Sequence, residues 1–352
     1  MQDRRGFRRR VVDGPADEPV ASEMTVEADV ARTVDVADLV GRGREGSPRA
    51  VARLISLVED AGPQLREATA ALTPHAGSAA VVGITGSPGV GKSTTTSALV
   101  TELRSSGRRV AVLAVDPSSP FTGGALLGDR IRMGDHALDS GVFIRSMASR
   151  GHLGGLAAAT PQAVRVLDAC GFDIVIIETV GVGQSEVEIV GAADTTVVLL
   201  APGMGDGIQA AKAGILEIGD VFGVNKADRD GADATMRDLR GMLSLGERRE
   251  PGQWRPPVVK LVAAQGKGVD DLAAALDQHH SWLAASGELG RRRRARVAAE
   301  IETLVLARLR QRLSHARSRD GDRLLDHLAE QVLAGATDPF DAADRLAVET
   351  QG

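Results

Sequence analysis

Gly86-Ser87-Pro88-Gly89-Val90-Gly91-Lys92-Ser93 fits G-x-x-x-x-G-K-[ST], the spacing of a phosphate-binding loop. Just upstream, Ala79-Ala80-Val81-Val82-Gly83-Ile84 reads as a buried strand, and residues 94–103 read as a helix. A strand, a glycine-rich turn and a helix in that order are the context such a loop requires. The glycines let the backbone turn tightly and aim its N–H groups at phosphate oxygens, assisted by the helix N-terminus. Ser87, Pro88, Gly89, Val90, Gly91 and Thr94 are therefore expected around the nucleotide. Lys92 is expected to reach the outer phosphates, and the Ser93 hydroxyl to ligate Mg²⁺.

Outward from the loop, strand and helix patterns alternate. Strands are predicted at 81–84, 110–115, 142–144, 174–178, 196–200, 221–225 and 258–262. Several are unbroken Val/Ile/Leu runs, as expected for strands buried on both faces of a parallel sheet. The prediction is an α/β fold with a doubly wound, mostly parallel sheet over residues 79–287, its ligands at the carboxyl ends of the strands. Residues 1–46, rich in charge, Gly and Pro, read as a flexible tail. Residues 47–78 read as a helical segment opened by Ser47 as a cap and Pro48 in the first turn. Val51, Leu54, Ile55 and Val58 share one face of it, and Pro63 interrupts it.

Residues 288–352 turn helical again. Ile301, Leu304, Val305 and Leu309 mark one amphipathic helix; Leu324, Leu325, Leu328 and Val332 mark another. Such helices need a surface to cover, either their own domain or a second subunit. Arg291, Arg292, Arg293, Arg294 and Arg296 have no interleaved aromatics and read as a solvated helix face rather than a nucleic-acid patch.

The balance of the chain agrees. Its 352 residues suffice for a large core, and a net charge of −5 calls for neither nucleic acid nor membrane. The single cysteine, Cys170, suits a reducing cytoplasm and is expected to be packed rather than reactive. The basic N-terminus is followed by no apolar run, so no secretory signal is expected, and no stretch has the length of a membrane span. His279 and His280 are adjacent, would point to different helix faces, and are assigned to the surface.

Asn225-Lys226-Ala227-Asp228 at a strand end reads as a guanine selector. The Asp228 carboxylate would accept from guanine N1–H and the 2-amino group, a donor pair that adenine lacks, which makes the nucleotide GTP. Behind the base, Val262-Ala263-Ala264 lacks the serine common there, and the Ala263 N–H is the expected contact to the guanine oxygen. Asp116, Asp129 and Glu178, at or near strand ends, join Ser93 as candidate metal ligands. Glu178-Thr179-Val180-Gly181 resembles the D-x-x-G element whose glycine N–H senses the γ-phosphate, so Lys92, Glu178 and Gly181 are the candidate catalytic set. Where Ras-type switches place a water-orienting Gln, this chain has Val182, with Gln184 nearby. Intrinsic hydrolysis is therefore expected to be slow.

With these residues placed, a family resemblance emerges. Residues 83–94, Leu113-Ala114-Val115-Asp116-Pro117-Ser118-Ser119, Gly154-Gly155, residues 178–186 and Trp254-Arg255-Pro256-Pro257-Val258 together look like the MeaB/ArgK-type GTPases, the methylmalonyl-CoA mutase-associated metallochaperones. The resemblance runs over roughly 52–290. It implies a GTPase that binds a cobalamin-dependent acyl-CoA mutase, gates adenosylcobalamin delivery, and protects or restores the mutase. It further implies a homodimer built with the C-terminal helices, the acids Asp116, Asp129 and Glu178 at the metal, and a switch loop over 202–209 with Lys212. Gln184, Asp206, Gln209 and Lys212 are its candidate switch residues. Divergence at Ser87, Pro120-Phe121, Met147 and Val262 leaves open which acyl-CoA mutase is the partner. Two other readings stand beside it: a GTPase that inserts a metal such as nickel, which would want a His/Cys cluster, and a kinase of a transport system.

Overall fold

Seven strands form one parallel sheet: β1 (Ala80–Thr85), β2 (Val110–Asp116), β3 (Val142–Ala148), β4 (Ile174–Thr179), β5 (Thr195–Leu200), β6 (Val221–Val224) and β7 (Val258–Lys260). Their order across the sheet is β3-β2-β4-β1-β5-β6-β7, so all seven predicted strands are present. The computed structural model describes residues 35–60, 62–116, 134–136, 138–148, 159–179, 185–203, 215–245, 252–316 and 322–349. The chain leaves β1 toward β2 on one side and later resumes at β5 on the other. This reversal beside β1 is where open α/β sheets bind ligands.

Registers bring the carboxyl ends level. Ile84 and Ala114 both pair with Glu178, Thr85 pairs with Val198, and Val224 pairs with Leu200 and Lys260. The loop after β1, the acid of β4 and the Asn225 motif thus emerge along one edge of the sheet.

Helices cover the faces. From α4 (Lys92–Ser105), Leu99, Val100 and Leu103 pack with Leu272 and Leu276 of α9 (Val269–Ser286) over Val82, Ile84, Ile176 and Val197. Each such buried side chain stabilises the fold by roughly 1.5–3 kcal/mol. On the other face, Met236 and Leu239 of α8 (Ala232–Leu245) pack on Val198, Phe222 and Val224. Among the described residues, the remaining α-helices before the C-terminal region are α1 (Val36–Arg44), α2 (Pro48–Glu59), α3 (Leu65–Leu72), α5 (Thr160–Ala169), α6 (Ser185–Ala192) and the short α7 (Ile215–Ile218).

The opening of α2 follows its sequence: Ser47 Oγ accepts from Ala50 N, Pro48 begins the helix, and Val51, Leu54, Ile55 and Val58 are buried. The region before it differs from the expected tail. Residues 36–44 form α1, with the Asp35 carboxylate accepting from Asp38 N and Val36, Leu39 and Val40 buried. Two glycines in the helix, Gly41 and Gly43, hide its periodicity, yet Gly43 is needed: a side chain there would meet the Cys170 Sγ at 2.9 Å. Cys170 itself is buried, and burial pushes its thiol up to about 11.

The C-terminal region contains α10 (Glu288–Ala316), α11 (Asp322–Leu333) and α12 (Pro339–Glu349). Here the arginine cluster departs from a solvated face. Arg292 donates from both Nη atoms to the Asp220 carboxylate at 2.9 Å, and also to Asp194 O at 2.9 Å. Arg293 reaches the Asp194 carboxylate at 2.8 Å, Ala79 O at 2.7 Å and Gly77 O, while Arg296 reaches Asp194 at 2.6 Å. Asp194 is only 1% exposed, so these arginines neutralise a carboxylate that would otherwise be costly to bury. They clamp α10 to the amino-terminal edge of the sheet. Arg291, by contrast, pairs with Glu288 of its own helix at 68% exposure.

His279 is also a correction. It lies fully buried, its Nδ1 2.9 Å from Thr195 Oγ1, with its ring against Trp254 and stacked on Trp282. A helix can bury one of two adjacent positions, and α9 turns this one inward against the sheet.

Candidate nucleotide site

The loop from Gly86 to Gly91 is shaped by backbone conformations that disfavour side chains. Gly86 has φ +140°, and a Cβ on it would lie 2.3 Å from Leu199 O. Gly91 has φ +95°, and its Cβ would lie 2.5 Å from Asn225 Nδ2. Only glycine fits both positions. Val90 between them points down and is fully buried in the main core, while Pro88 and Gly89 are exposed. The loop is therefore pinned by one apolar side chain and open above.

Lys92 begins α4, and its Nζ donates to Gly86 O at 2.8 Å and Ser87 O at 3.3 Å. The ammonium is thereby held over the loop whose N–H groups are suited to phosphate. Ser93 is buried, and its Oγ donates to Glu178 Oε1 at 2.6 Å. Glu178, 3% exposed, is the fifth residue of β4. A hydroxyl and a carboxylate brought together from two elements are hard oxygen donors, which suit Mg²⁺. Asp116 closes β2 beside them, its side chain outside the described residues, as are Asp129, Gly181, Val182, Gln184, Asp206, Gln209 and Lys212. Among the described residues there is no group of three or more His, Cys, Asp or Glu placed to hold a metal ion, and no helix long and apolar enough to cross a membrane.

Asn225 links three loops. Its Nδ2 donates to Val90 O at 2.8 Å, and its Oδ1 accepts from Ala263 N at 3.1 Å. The Ala263 amide is thus engaged with Asn225 rather than open to a base, a partnership invisible in sequence because the loops are far apart along the chain. Lys226 follows with φ +56°, the one non-glycine residue in the left-handed region among those described, and its Nζ donates to Gly89 O at 2.6 Å. That turn leaves Asp228 exposed at the carboxyl edge of the sheet. The sequence motifs therefore converge: phosphate loop, hydroxyl–carboxylate pair and N-K-x-D segment share one rim.

Comparison with known proteins agrees with this arrangement. Residues 51–318 match the family described as methylmalonyl Co-A mutase-associated GTPase MeaB. A Pyrococcus abyssi protein that carries a GTPase name is 48% identical over 319 residues, 90% of this chain and 97% of that one. The mouse methylmalonic aciduria type A homolog, mitochondrial, is 37% identical over 269 residues, 75% of this chain and 64% of that one. Among solved structures, that of a LAO/AO transport system kinase superposes with a TM-score of 0.66 at 27% identity, over 90% of this chain and 98% of that one. A P-loop α/β sheet with a guanine-type motif on its rim, matched over most of its length to these proteins, belongs to the methylmalonyl Co-A mutase-associated GTPase family, MeaB.

Proposed function

We propose that this protein binds and hydrolyses GTP, and through that cycle serves as a chaperone of a cobalamin-dependent acyl-CoA mutase of the methylmalonyl-CoA mutase type. In this reading it gates adenosylcobalamin delivery to the mutase and protects or reactivates it. The carrying observation is the strut formed by Asn225, which joins the phosphate loop to the guanine motif and to the loop after β7. Family membership supports the choice of partner.

Each residue has a defined task. Backbone N–H groups of residue 87 and residues 89–94 and the Lys92 ammonium bind the phosphates, and the Asp228 carboxylate selects guanine. Ser93 and Glu178, with Asp116 and Asp129, would hold Mg²⁺. When bound, Mg²⁺ supplies positive charge against the β- and γ-phosphate oxygens. The Gly181 N–H would sense the γ-phosphate, and Val182 cannot align a water molecule, so turnover by the protein alone is slow. Gln184, Asp206, Gln209 and Lys212 would carry the nucleotide state to the mutase. A homodimer acting in the cytoplasm completes the reading.

Purified protein should hydrolyse GTP slowly and ATP negligibly, and a cognate mutase should accelerate GTP turnover. Equal rates with GTP and ATP would overturn the guanine assignment. Asp228→Asn should lose guanine preference, and Lys92→Ala should lose nucleotide binding or turnover. Pull-down with the tagged protein should recover a B12-dependent mutase subunit; recovery of a hydrogenase or urease component instead would favour metal insertion.

A further inference from the structure

Thr85 closes β1 and Thr179 closes β4. Gly86, the first residue of the phosphate loop, follows one of them; Glu178, the partner of Ser93, precedes the other. The main-chain ladder between these two strands ends one step earlier, at Ile84 and Glu178. Past that step pairing continues only outward, Thr85 with Val198 of β5 and Thr179 with Val115 of β2. The sheet therefore parts between β1 and β4 at the nucleotide rim. There the chain leaves for the phosphate loop on one side and for Gly181 on the other. Across the parting, Thr179 Oγ1 donates to Thr85 Oγ1 at 3.4 Å.

Stability does not account for these hydroxyls. Thr85 is fully buried and Thr179 is 2% exposed, and among the described residues each hydroxyl has only the other as a partner. The same face of the two strands otherwise carries Val81, Gly83, Val175 and Ile177, and Ile189 of α6 packs on it over Gly83. Valine is close to threonine in shape and would be buried here without the cost of a hydroxyl. A bond as long as 3.4 Å returns little of that cost. A buried polar pair of this kind calls for another explanation, and its place at the parting supplies one. We infer that Thr85 and Thr179 are positioning residues for GTP hydrolysis. Their contact sets how the chain toward Gly181 stands against the phosphate loop, so that both can hold one γ-phosphate. The inference rests on the assignment of the Gly181 N–H to that phosphate.

The test compares full-length wild type with Thr179→Val, Thr179→Ser, Thr85→Val and the double valine variant. Affinities for GDP and for GppNHp, a triphosphate that resists hydrolysis, are measured with Mg²⁺ present, and GTP hydrolysis is followed in a single turnover. Thr179→Val should keep GDP affinity within about twofold while GppNHp affinity and the hydrolysis rate fall roughly threefold to tenfold. Thr179→Ser retains the hydroxyl and should restore both. Thr85→Val should reproduce the loss, and the double variant should lose no more than either single one, because one contact is removed only once. Thr85→Val carries the test alone if Thr179→Val does not give a cooperative thermal melt. Equal weakening of GDP and GppNHp would reveal a general distortion and overturn the inference. So would native triphosphate affinity and turnover in a folded valine variant, or no recovery with serine. Gly181→Ala with unchanged GppNHp affinity would remove the sensing role beneath the inference, a failure distinct from that of the threonines.

Discussion

Asn225 does more than its place in a guanine motif requires. At 3% exposure it satisfies the Val90 carbonyl and the Ala263 amide with one side chain. Asn225→Ala would leave both groups buried or nearly so without that partner, at a cost of roughly 1–3 kcal/mol per unsatisfied group. We expect the melting temperature to fall by several degrees and GDP affinity to drop at least about tenfold, as read by differential scanning calorimetry and isothermal titration. A variant with native GDP affinity would show that the strut does not shape the site. Gly86→Ala is a harsher change, because the added methyl meets backbone of β5 rather than a movable side chain. At this scale the sequence was most legible where residues act with their neighbours. The loop from Gly86 to Ser93 could be read from spacing alone, since strand, glycines and helix are contiguous. The Ser93–Glu178 bond and the Ala263 amide's engagement join distant segments, and only the strand registers bring them together.

Strands were the most legible elements, because burial on both faces writes long runs of Val, Ile and Leu into a parallel sheet. The clamp on α10 was illegible for a matching reason: Arg292, Arg293 and Arg296 meet Asp194 and Asp220, which are about 70–100 positions away. A local run of arginines carries no sign of such partners. Although burial resists ionisation of Asp194, hydrogen bonding from Arg293 and the charges of Arg296 and Arg293 hold its carboxyl below the usual range. Its contribution is therefore present above the unfolded value near 3.9 and is lost as pH falls through the lower folded value. Asp194→Asn should destabilise the protein at neutral pH by roughly 3–5 kcal/mol, and the deficit should shrink below about pH 4. His279 works in a different window. Burial pushes its imidazole down to about 4 against the pull of Asp220. From about pH 6.5 down to that value the unfolded chain takes up a proton that the native state refuses, so stability falls as pH falls. Over the full window this amounts to at most about 3 kcal/mol. His279→Gln should flatten the wild-type slope of urea stability against pH between these limits; an unchanged slope would assign the dependence to other groups.

Across the whole molecule, the clamp fixes where α10 begins, and the helix then carries a half-exposed apolar stripe. Val297, Ile301, Leu304, Val305 and Leu309 are 46–57% exposed and recur at helical spacings of three and four, so they form one face. Leaving such a face in water forgoes about 25 cal/mol for each Å² of apolar surface, and a face of this kind in a soluble protein marks an interaction surface. We propose that a second copy of the chain covers it, as an isologous contact in which each stripe meets its equivalent. Because α10 is fastened beneath β5 and β6, whose other ends support the Asn225 motif, such a dimer would hold its two nucleotide rims in a fixed relation. Ile301→Glu places a charge in the middle of the stripe but touches neither the clamp nor the rim. Light scattering coupled to gel filtration should show the wild type as a dimer at micromolar concentration and the variant as a monomer. GDP affinity and the melt of the α/β body should be retained, which separates loss of the contact from loss of the fold. A wild type that stays monomeric over that range would assign the stripe to the mutase instead, and adding the mutase should then protect α10 from hydrogen exchange.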